Sequence, residues 1–161
     1  MIRPVALADV SRVFELIWEL AVYEKLEHRM LGSAKELGNH LFSDPPMIEG
    51  IVAELDGQVV GYALYYGTYS TFLTKPGIWL EDLYVSPSSR GRGLGKALFA
   101  AIAKIACKRG CSRMEWSVLD WNQPSIDFYE MNGAKPMSDW LRYLLSDEHL
   151  EKTAASSAFN E

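Results

Sequence analysis

The sequence predicts a mixed α/β fold of the α+β type, and three observations support this prediction. Apolar residues recur at helical spacing near the start of the chain, a pattern typical of amphipathic helices. Two apolar segments then flank Asp56-Gly57, a dipeptide that favours a tight hairpin turn. The rest of the chain alternates strand-like and helix-like segments. We therefore expect two helices, an antiparallel run of strands, and then a strand–helix–strand–helix–strand series.

The first half of the chain is predicted to contain two helices and three strands. One apolar stripe predicts the first helix over residues 9–24. Ser33 begins a second, shorter helix that ends near Phe42, before the turn sequence SDPP. The three strands are predicted at residues 50–55, 58–67 and 77–85.

The second half is predicted to continue with alternating elements. Apolar residues at helical spacing predict a helix from Leu94 to Arg109. The later elements are predicted as a strand at 112–120, a helix at 123–132 capped by Gly133, and a strand at 140–145. Because no repeat or linker interrupts this series, we predict one domain over residues 1–150 and a frayed tail over residues 151–161.

Composition excludes several classes of protein. Hydrophobic residues make up 48% of the 161 residues, as in ordinary globular proteins. No apolar run reaches the roughly 18 residues that a membrane span needs, and the start of the chain lacks a signal-peptide pattern, so we expect a cytoplasmic protein. The net charge of −5 argues against a nucleic-acid partner and favours small cationic ligands.

The cysteines and histidines form no metal-ligand pattern. Cys107 and Cys111 lie four residues apart, a spacing that permits a disulfide or half of a metal site. Their places at a predicted helix end and strand start favour two ordinary thiols instead. His28, His40 and His149 are scattered along the chain. No metal site is therefore predicted.

The segment SRGRGLGKAL, residues 89–98, places three glycines and two arginines directly before a helix. It is not a P-loop, because Arg90 replaces the first glycine of that motif and Ala97 replaces its hydroxyl residue. It is not a dinucleotide fingerprint either, because Lys96 stands where the third glycine belongs. A tight turn with solvated arginines is the purely structural alternative.

The remaining pattern is Arg90-x-x-Gly93-x-Gly95. Free N–H groups and the helix dipole make a helix start an anion-binding site, and Arg90, Arg92 and Lys96 add positive charge around it. Because the loop lacks a hydroxyl for Mg²⁺, we predict that it holds a diphosphate as a handle and does not transfer phosphate.

The strand WLEDLYV, the loop RGRGLG and the segment VLDWNQPSIDFYEMNGA, in this order, resemble the GNAT acetyltransferases. Within that family, IRPVALAD and LAVYEKLE resemble the spermidine/spermine (diamine) acetyltransferase group, and YSTF and VLDWNQ resemble its thialysine acetyltransferase branch. The likeness covers about residues 2–143. It implies the family's acyl-CoA N-acyltransferase fold, a twisted, mostly antiparallel central sheet flanked by about four helices.

The resemblance also implies that acetyl-CoA is the acetyl donor, a cosubstrate used without a metal. The glycine loop would cradle its pyrophosphate, and one strand edge and a later helix start would lie along the pantetheine arm. The residues implied in acetyl-CoA binding are Leu83, Tyr84, Val85, Arg90, Gly91, Arg92, Gly93, Leu94, Gly95, Lys96, Asn122, Gln123, Pro124 and Ser125.

Two catalytic residues follow from the resemblance, Tyr129 as the general acid for the departing thiolate and Glu81 as the base. A phenol with a pKa of about 10 can protonate a thiolate of pKa about 8.5 at small cost. A carboxylate is about six pKa units too weak to deprotonate an alkylammonium efficiently, so Glu81 is expected to hold the ammonium and relay its proton through water. The structural alternatives are a tyrosine packed in the core and a solvent-facing acidic pair.

Neighbouring side chains on a strand point to opposite faces. Only one of Glu81 and Asp82 should therefore face the reacting centre unless a bulge intervenes, and we choose Glu81. Glu24 could anchor a second ammonium or lie solvated at a helix end. The residues implied in amine binding are Tyr23, Glu24, Glu81, Asp82, Glu115, Trp116 and Ser117.

The acceptor is expected to be a small cationic amine. Polyamine-specific members of the group carry an acid after the tyrosine of the mid-chain loop, whereas Ser70 follows Tyr69 here, which favours a short diamine or a lysine-like amino acid. A protein or peptide N-acetyltransferase and a non-catalytic acyl-CoA sensor are the alternatives. The resemblance implies a homodimer, and no nucleic-acid or membrane partner is expected.

Overall fold

The computed structural model describes residues 1–158. By their contacts, the residues divide into two units, Met1–Leu119 and a second that begins at Asp120. The elements of the first unit, in chain order, are β1 (Ile2–Pro4), α1 (Val10–Glu24), α2 (Ala34–Leu41), β2 (Glu49–Leu55), β3 (Gln58–Ser70), β4 (Lys75–Val85), α3 (Leu94–Lys108) and β5 (Met114–Glu115).

The five strands form one sheet in the order β1-β2-β3-β4-β5. All neighbours are antiparallel except β4 and β5, which are parallel. The predicted mixed α/β class with a mostly antiparallel sheet is thus confirmed. Asp56 and Gly57 connect β2 to β3 with φ angles of 51° and 77°, the positive pair that a type I′ hairpin turn requires.

Each face of the sheet carries its own apolar core. On one face, buried residues such as Val52 and Tyr62 pack with Val13 and Leu16 of α1. On the other face, Ile78 and Leu80 pack with Leu98 and Ile102 of α3. Burying one large aliphatic side chain contributes about 1.5–3 kcal/mol, so these two cores hold α1 and α3 on opposite faces of the sheet.

Two predicted strands are wrong. The strand predicted at 112–120 is reduced to Met114–Glu115, which pair only with Ile78 and Trp79 of β4. Residues 140–145 form no strand among the residues described, because no neighbouring strand pairs with them. Local propensity alone does not make a strand without a partner.

The second unit contains α4 (Gln123–Met131) and α5 (Asp147–Ala155). α4 matches the helix predicted there, and Gly133 follows it with φ +88°. α5 is a fifth helix that the sequence patterns do not predict, and it includes residues 151–155 of the segment expected to be frayed. The last three residues of that segment lie outside the described part of the chain. Within residues 1–158, no helix is both long and apolar enough to cross a membrane.

Candidate active site

The glycine loop ends in a helix start whose N–H groups have no partner among the described residues. Gly91 and Gly93 both have φ of +76°, a conformation that side chains other than glycine rarely adopt. The first hydrogen bond of α3 runs from the Ala97 N–H to the Gly93 carbonyl at 3.0 Å. Within residues 1–158, no bond from the main-chain N–H groups of residues 91–96 is found, and no side chain caps the helix.

The space around this loop is open and positively charged. A Cβ atom built on Gly91, Gly93 or Gly95 would meet nothing within 4 Å. Arg92 and Lys96 are exposed at the same helix start. Unpaired donors, the positive end of a 15-residue helix and two cations together suit an anion of the size of a phosphate. The predicted diphosphate cradle therefore fits the residues present.

The edge of β4 beside the loop is unpaired over its last residues. Pairing with β5 stops at Trp79, so among the described residues Leu80–Val85 has no strand partner on that side. This stretch includes Leu83, Tyr84 and Val85, the strand residues predicted to lie along the pantetheine arm. An exposed strand edge can accept an extended ligand through main-chain hydrogen bonds, which is the arrangement predicted for the pantetheine arm.

A β-bulge at Glu81 changes which way the acidic pair points. Asp82 pairs with Leu64 of β3, and Leu80 pairs with Tyr65, the residue after Leu64. Glu81 therefore has no partner in the register. Leu80 and Leu83 both belong to the core on the α3 face. The two residues between them, Glu81 and Asp82, are therefore both directed toward the α1 face. A bulge adds one residue in this way and reorients the side chains beside it.

The two carboxylates nevertheless differ in their surroundings. Glu81 is exposed and accepts a hydrogen bond from the Trp79 Nε1 at 2.8 Å. Asp82 is partly buried, and its Oδ2 accepts a hydrogen bond from the Tyr62 hydroxyl at 3.2 Å. Burial raises the pKa of Asp82 to about 7, and the nearby Glu81 and Glu24 carboxylates raise it as well. Asp82 thus changes charge near neutral pH.

The end of α1 supplies the other acid of this group. Burial raises the pKa of Glu24, and the carboxylate is close enough to raise the pKa of both Asp82 and the buried Tyr62. The structure thus gathers Glu24, Glu81 and Asp82 on one face. Tyr23 precedes Glu24, and its ring lies 5.2 Å from the Arg90 guanidinium carbon. Three neighbouring carboxylates with two raised pKa values suit a ligand that brings positive charge.

Arg90 lies apart from the open part of the loop. Its Nε donates to the Val85 carbonyl at 2.9 Å, and its guanidinium carbon lies 5.4 Å from the centre of the Tyr84 ring. The side chain of Arg90, predicted to add positive charge around the phosphate, is thus in contact with β4 and α1.

The site residues predicted at the end of β5 and just after it lie in a different environment. Glu115 forms an ion pair of 2.8 Å with Arg113. The Trp116 ring packs edge-to-face on Phe99 of α3, at 5.3 Å between centroids, in the core on the α3 face. Trp116 therefore lies on the opposite side of the sheet from the acidic group, and the roles predicted for Glu115, Trp116 and Ser117 stay predictions.

The second unit contains the other predicted residues. Asn122 is buried and forms the N-cap position of α4, where its carbonyl accepts from the N–H groups of Ser125 and Ile126, both at 3.1 Å. The Gln123 side chain donates to Asp127 at 2.7 Å. Tyr129 is partly buried, and its ring lies 5.3 Å from that of Phe128. Pro124 stands in the first turn of α4, where proline is favoured.

Two residues of this group were missed by sequence reasoning, Tyr62 and Trp79. Each donates to one carboxylate of the acidic pair. Tyr62 could have been found by counting back along the β3–β4 hairpin, since it pairs with Tyr84. The bulge at Glu81 could not be counted from the sequence. Among residues 1–158, no group of three or more His, Cys, Asp or Glu side chains has a geometry that could hold a metal.

The Asp82 environment predicts a pH-dependent stability. The pKa of an aspartate in an unfolded chain is about 3.9, below the value of about 7 in the folded protein. The stability that this group contributes is thus present at low pH and is lost as the pH rises through 7. We expect the melting temperature of Asp82→Asn, relative to wild type, to rise between pH 4 and pH 7 and then level off. Thermal unfolding at several pH values measures this difference.

The Tyr62→Phe variant is the companion measurement. Without the Tyr62 hydroxyl, the ionised form of Asp82 loses a hydrogen bond, so the pKa of Asp82 should rise. In the Tyr62→Phe background, the melting-temperature difference between Asp82→Asn and its parent should therefore level off at a higher pH. A constant difference between Asp82→Asn and wild type across the range would contradict the assignment.

Comparisons with known proteins give one consistent result. A family model described as the acetyltransferase (GNAT) family matches residues 10–134. A thialysine N-epsilon-acetyltransferase of Mus musculus is 34% identical, over 95% of this chain and 96% of the mouse protein. An L-ornithine N5-acetyltransferase of Arabidopsis thaliana is 29% identical, over 93% of this chain and 86% of the plant protein. The solved structure of an integron cassette protein from the mobile metagenome of V. cholerae is 27% identical, with a TM-score of 0.79 over 97% of this chain and 98% of that one.

Proposed function

The chain belongs to the acetyltransferase (GNAT) family and is an N-acyltransferase, and from that premise we propose that it acetylates a small primary amine with acetyl-CoA. The observation that carries this proposal is the row of main-chain N–H groups over residues 91–96, unpartnered among the described residues, beside the unpaired edge of β4. Acetyl-CoA presents a diphosphate and an extended amide arm, the two features that such a loop and such an edge bind.

The proposed amine site is the acidic group on the α1 face. A primary amine reaches the protein as an ammonium ion, and Asp82, Glu24 and Glu81 supply negative charge for it. The named relatives act on thialysine and ornithine, which are amino acids with a side-chain amine. Together with the missing acid after Tyr69, these names favour a lysine-like amino acid or a short diamine as the acceptor.

The chemistry proposed is a direct attack in a ternary complex. At neutral pH only about one alkylamine in 2,500 is unprotonated, which costs about 4.6 kcal/mol. Glu81 holds the ammonium and passes its proton to water, and Asp82 adds negative charge at the same face. The amine nitrogen then forms a bond to the acetyl carbonyl carbon, the carbon–sulfur bond breaks, and Tyr129 gives its proton to the departing thiolate. The nitrogen releases its second proton to water as the amide forms, and water returns a proton to Tyr129. No serine or cysteine needs to carry the acetyl group.

A substrate panel tests this proposal. The protein is mixed with acetyl-CoA and, in turn, with thialysine, ornithine, lysine, putrescine, spermidine and a set of N-terminal peptides, and the free thiol is measured. We expect the amino acids with a side-chain amine and the short diamines to give the highest kcat/KM. Turnover confined to peptides would favour a peptide acetyltransferase, and CoA binding without thiol release from any amine would favour an acyl-CoA sensor.

We also propose that the protein is a homodimer. Among residues 1–158, the segment 137–145 keeps six large hydrophobic side chains more than half exposed, and the four most exposed are Trp140 (69%), Leu141 (77%), Tyr143 (86%) and Leu144 (85%). Apolar groups clustered in this way mark interaction surfaces, and the sequence resembles a group whose members are usually dimers. Sedimentation equilibrium tests the proposal, and a monomer at micromolar concentration would contradict it.

A further inference from the structure

The Arg90 guanidinium connects the start of the phosphate-binding loop to the end of α1. Its guanidinium carbon lies 5.2 Å from the Tyr23 ring centre and 5.4 Å from that of Tyr84, both within the range of a cation–π contact. Its Nε donates to the Val85 carbonyl at 2.9 Å. The side chain therefore contacts α1 and β4 at once, while its main chain begins the glycine loop.

The partners of Arg90 are themselves fixed. The Tyr84 hydroxyl donates to Glu19 at 3.4 Å, and Glu19 forms an ion pair of 3.2 Å with Arg12. Arg12 in turn donates to the Val59 carbonyl of β3 at 3.2 Å. These contacts hold the Tyr84 ring between α1 and the sheet, so the Arg90 guanidinium has a fixed ring on one side and Tyr23 of α1 on the other.

Tyr23 connects this network to the amine site. It directly precedes Glu24, whose carboxylate interacts with Asp82. α1 ends at Glu24, and the next residue, Lys25, has a left-handed conformation, so Tyr23 lies in the last helical turn beside Glu24. Arg90 thus contacts Tyr23, the residue next to Glu24, which is proposed to bind the amine.

We infer that Arg90 is a positioning residue that couples the acetyl-CoA loop to the amine-binding end of α1. When the loop closes on acetyl-CoA, Arg90 fixes Tyr23 and thereby Glu24, so that the bound donor raises the affinity for the amine. Thermodynamic linkage requires the amine to raise CoA affinity by the same factor. This inference rests on the proposed function and assigns to Arg90 a role other than that of a phosphate ligand.

Calorimetry with wild type and variants tests the coupling. The dissociation constant of CoA is measured with and without saturating thialysine, or with the best acceptor from the panel. We expect at least about a fivefold tightening in wild type. In Arg90→Gln we expect the ratio of the CoA dissociation constants without and with the amine to fall to about one. The KM for the amine should rise about fivefold or more. The affinity for CoA measured alone should stay within about twofold.

Four further variants make the result specific. Tyr23→Phe keeps the ring and should keep the coupling, whereas Tyr23→Leu should lose it as Arg90→Gln does. Arg92→Gln, the neighbouring loop cation, should weaken CoA binding and leave the ratio unchanged. Because a guanidinium stacks on rings better than an ammonium does, Arg90→Lys should restore only a small part of the coupling.

Two outcomes would overturn the inference. If Arg90→Gln weakens CoA binding tenfold or more while the ratio is kept, Arg90 is a phosphate ligand. If Arg90→Gln changes neither the CoA dissociation constant nor the ratio of that constant without and with the amine, Arg90 is a surface cation without a role. The failure of the proposed function is seen separately, since wild type would then bind no CoA or release no thiol.

Discussion

Replacing Tyr129 with phenylalanine is expected to lower kcat by about 100-fold or more, the usual contribution of a general acid. The phenol supplies the proton that the thiolate takes up as the carbon–sulfur bond breaks, and phenylalanine retains the ring without that proton. Because the hydroxyl acts mainly in the transition state, the KM for acetyl-CoA should change by less than about threefold. Steady-state kinetics with thiol detection measures both constants.

Tyr69→Phe is the matched control for this experiment. It removes the same hydroxyl from a tyrosine near the end of β3 that is 58% exposed, and kcat should stay within about twofold of wild type. A tenfold rise in the KM for acetyl-CoA at unaltered kcat in Tyr129→Phe would refute the general-acid role and make Tyr129 a binding residue.

Replacing Gly93 with valine is expected to weaken CoA binding by about 100-fold or more. A valine Cβ is strained at the φ of +76° that Gly93 adopts, so the loop should shift and turn its N–H groups away from the diphosphate. The added side chain would also project into the open space next to the helix start. Calorimetric titration with CoA measures the loss, and kcat at saturating acetyl-CoA should fall much less than the affinity.

Gly57→Val separates this effect from strain alone. Gly57 has a φ of +77° and open space around it, but it lies in the β2–β3 turn, away from the loop. Both variants should lose a similar amount of thermal stability. Equal CoA affinity in Gly93→Val and Gly57→Val would show that the loop is not the diphosphate site.

Most elements of the first unit could be predicted from the sequence because local signals specify them. The helical stripe predicts α1 at 9–24 against an observed Val10–Glu24. Ser33 is predicted to begin the second helix, and its side chain caps α2 by accepting from the Glu36 N–H. The positive φ at Asp56 and Gly57 is what their residue types favour. The glycine loop is predictable for the same reason, since few other residues adopt its backbone conformation.

The errors arose where tertiary partners decide the outcome. Residues 112–120 and 140–145 have strand-like sequences, but a strand needs a neighbour, and only Met114 and Glu115 have one among the described residues. β1 is only three residues long, too short for a periodic signal. α5 was missed although two acids stand in its first turn, Asp147 and Glu148, and acids at that position favour a helix start.

The acidic site could be predicted in its residues but not in its geometry. Glu81 and Asp82 were expected to face opposite sides of the sheet, with a bulge as the stated exception, and the bulge is present. A one-residue bulge leaves no trace in an alternating apolar pattern that is already interrupted by two acids. The raised pKa of Asp82 likewise depends on burial and on carboxylates from another element, which only the folded chain brings together.

A crystal structure with bound acetyl-CoA tests the central claim most directly. We predict that oxygen atoms of the diphosphate lie about 3 Å from main-chain nitrogen atoms of residues 91–96, with the extended arm along the free edge of Leu80–Val85. A diphosphate bound at another place, with these N–H groups left in solvent, would contradict the assignment of the loop and the proposed function with it.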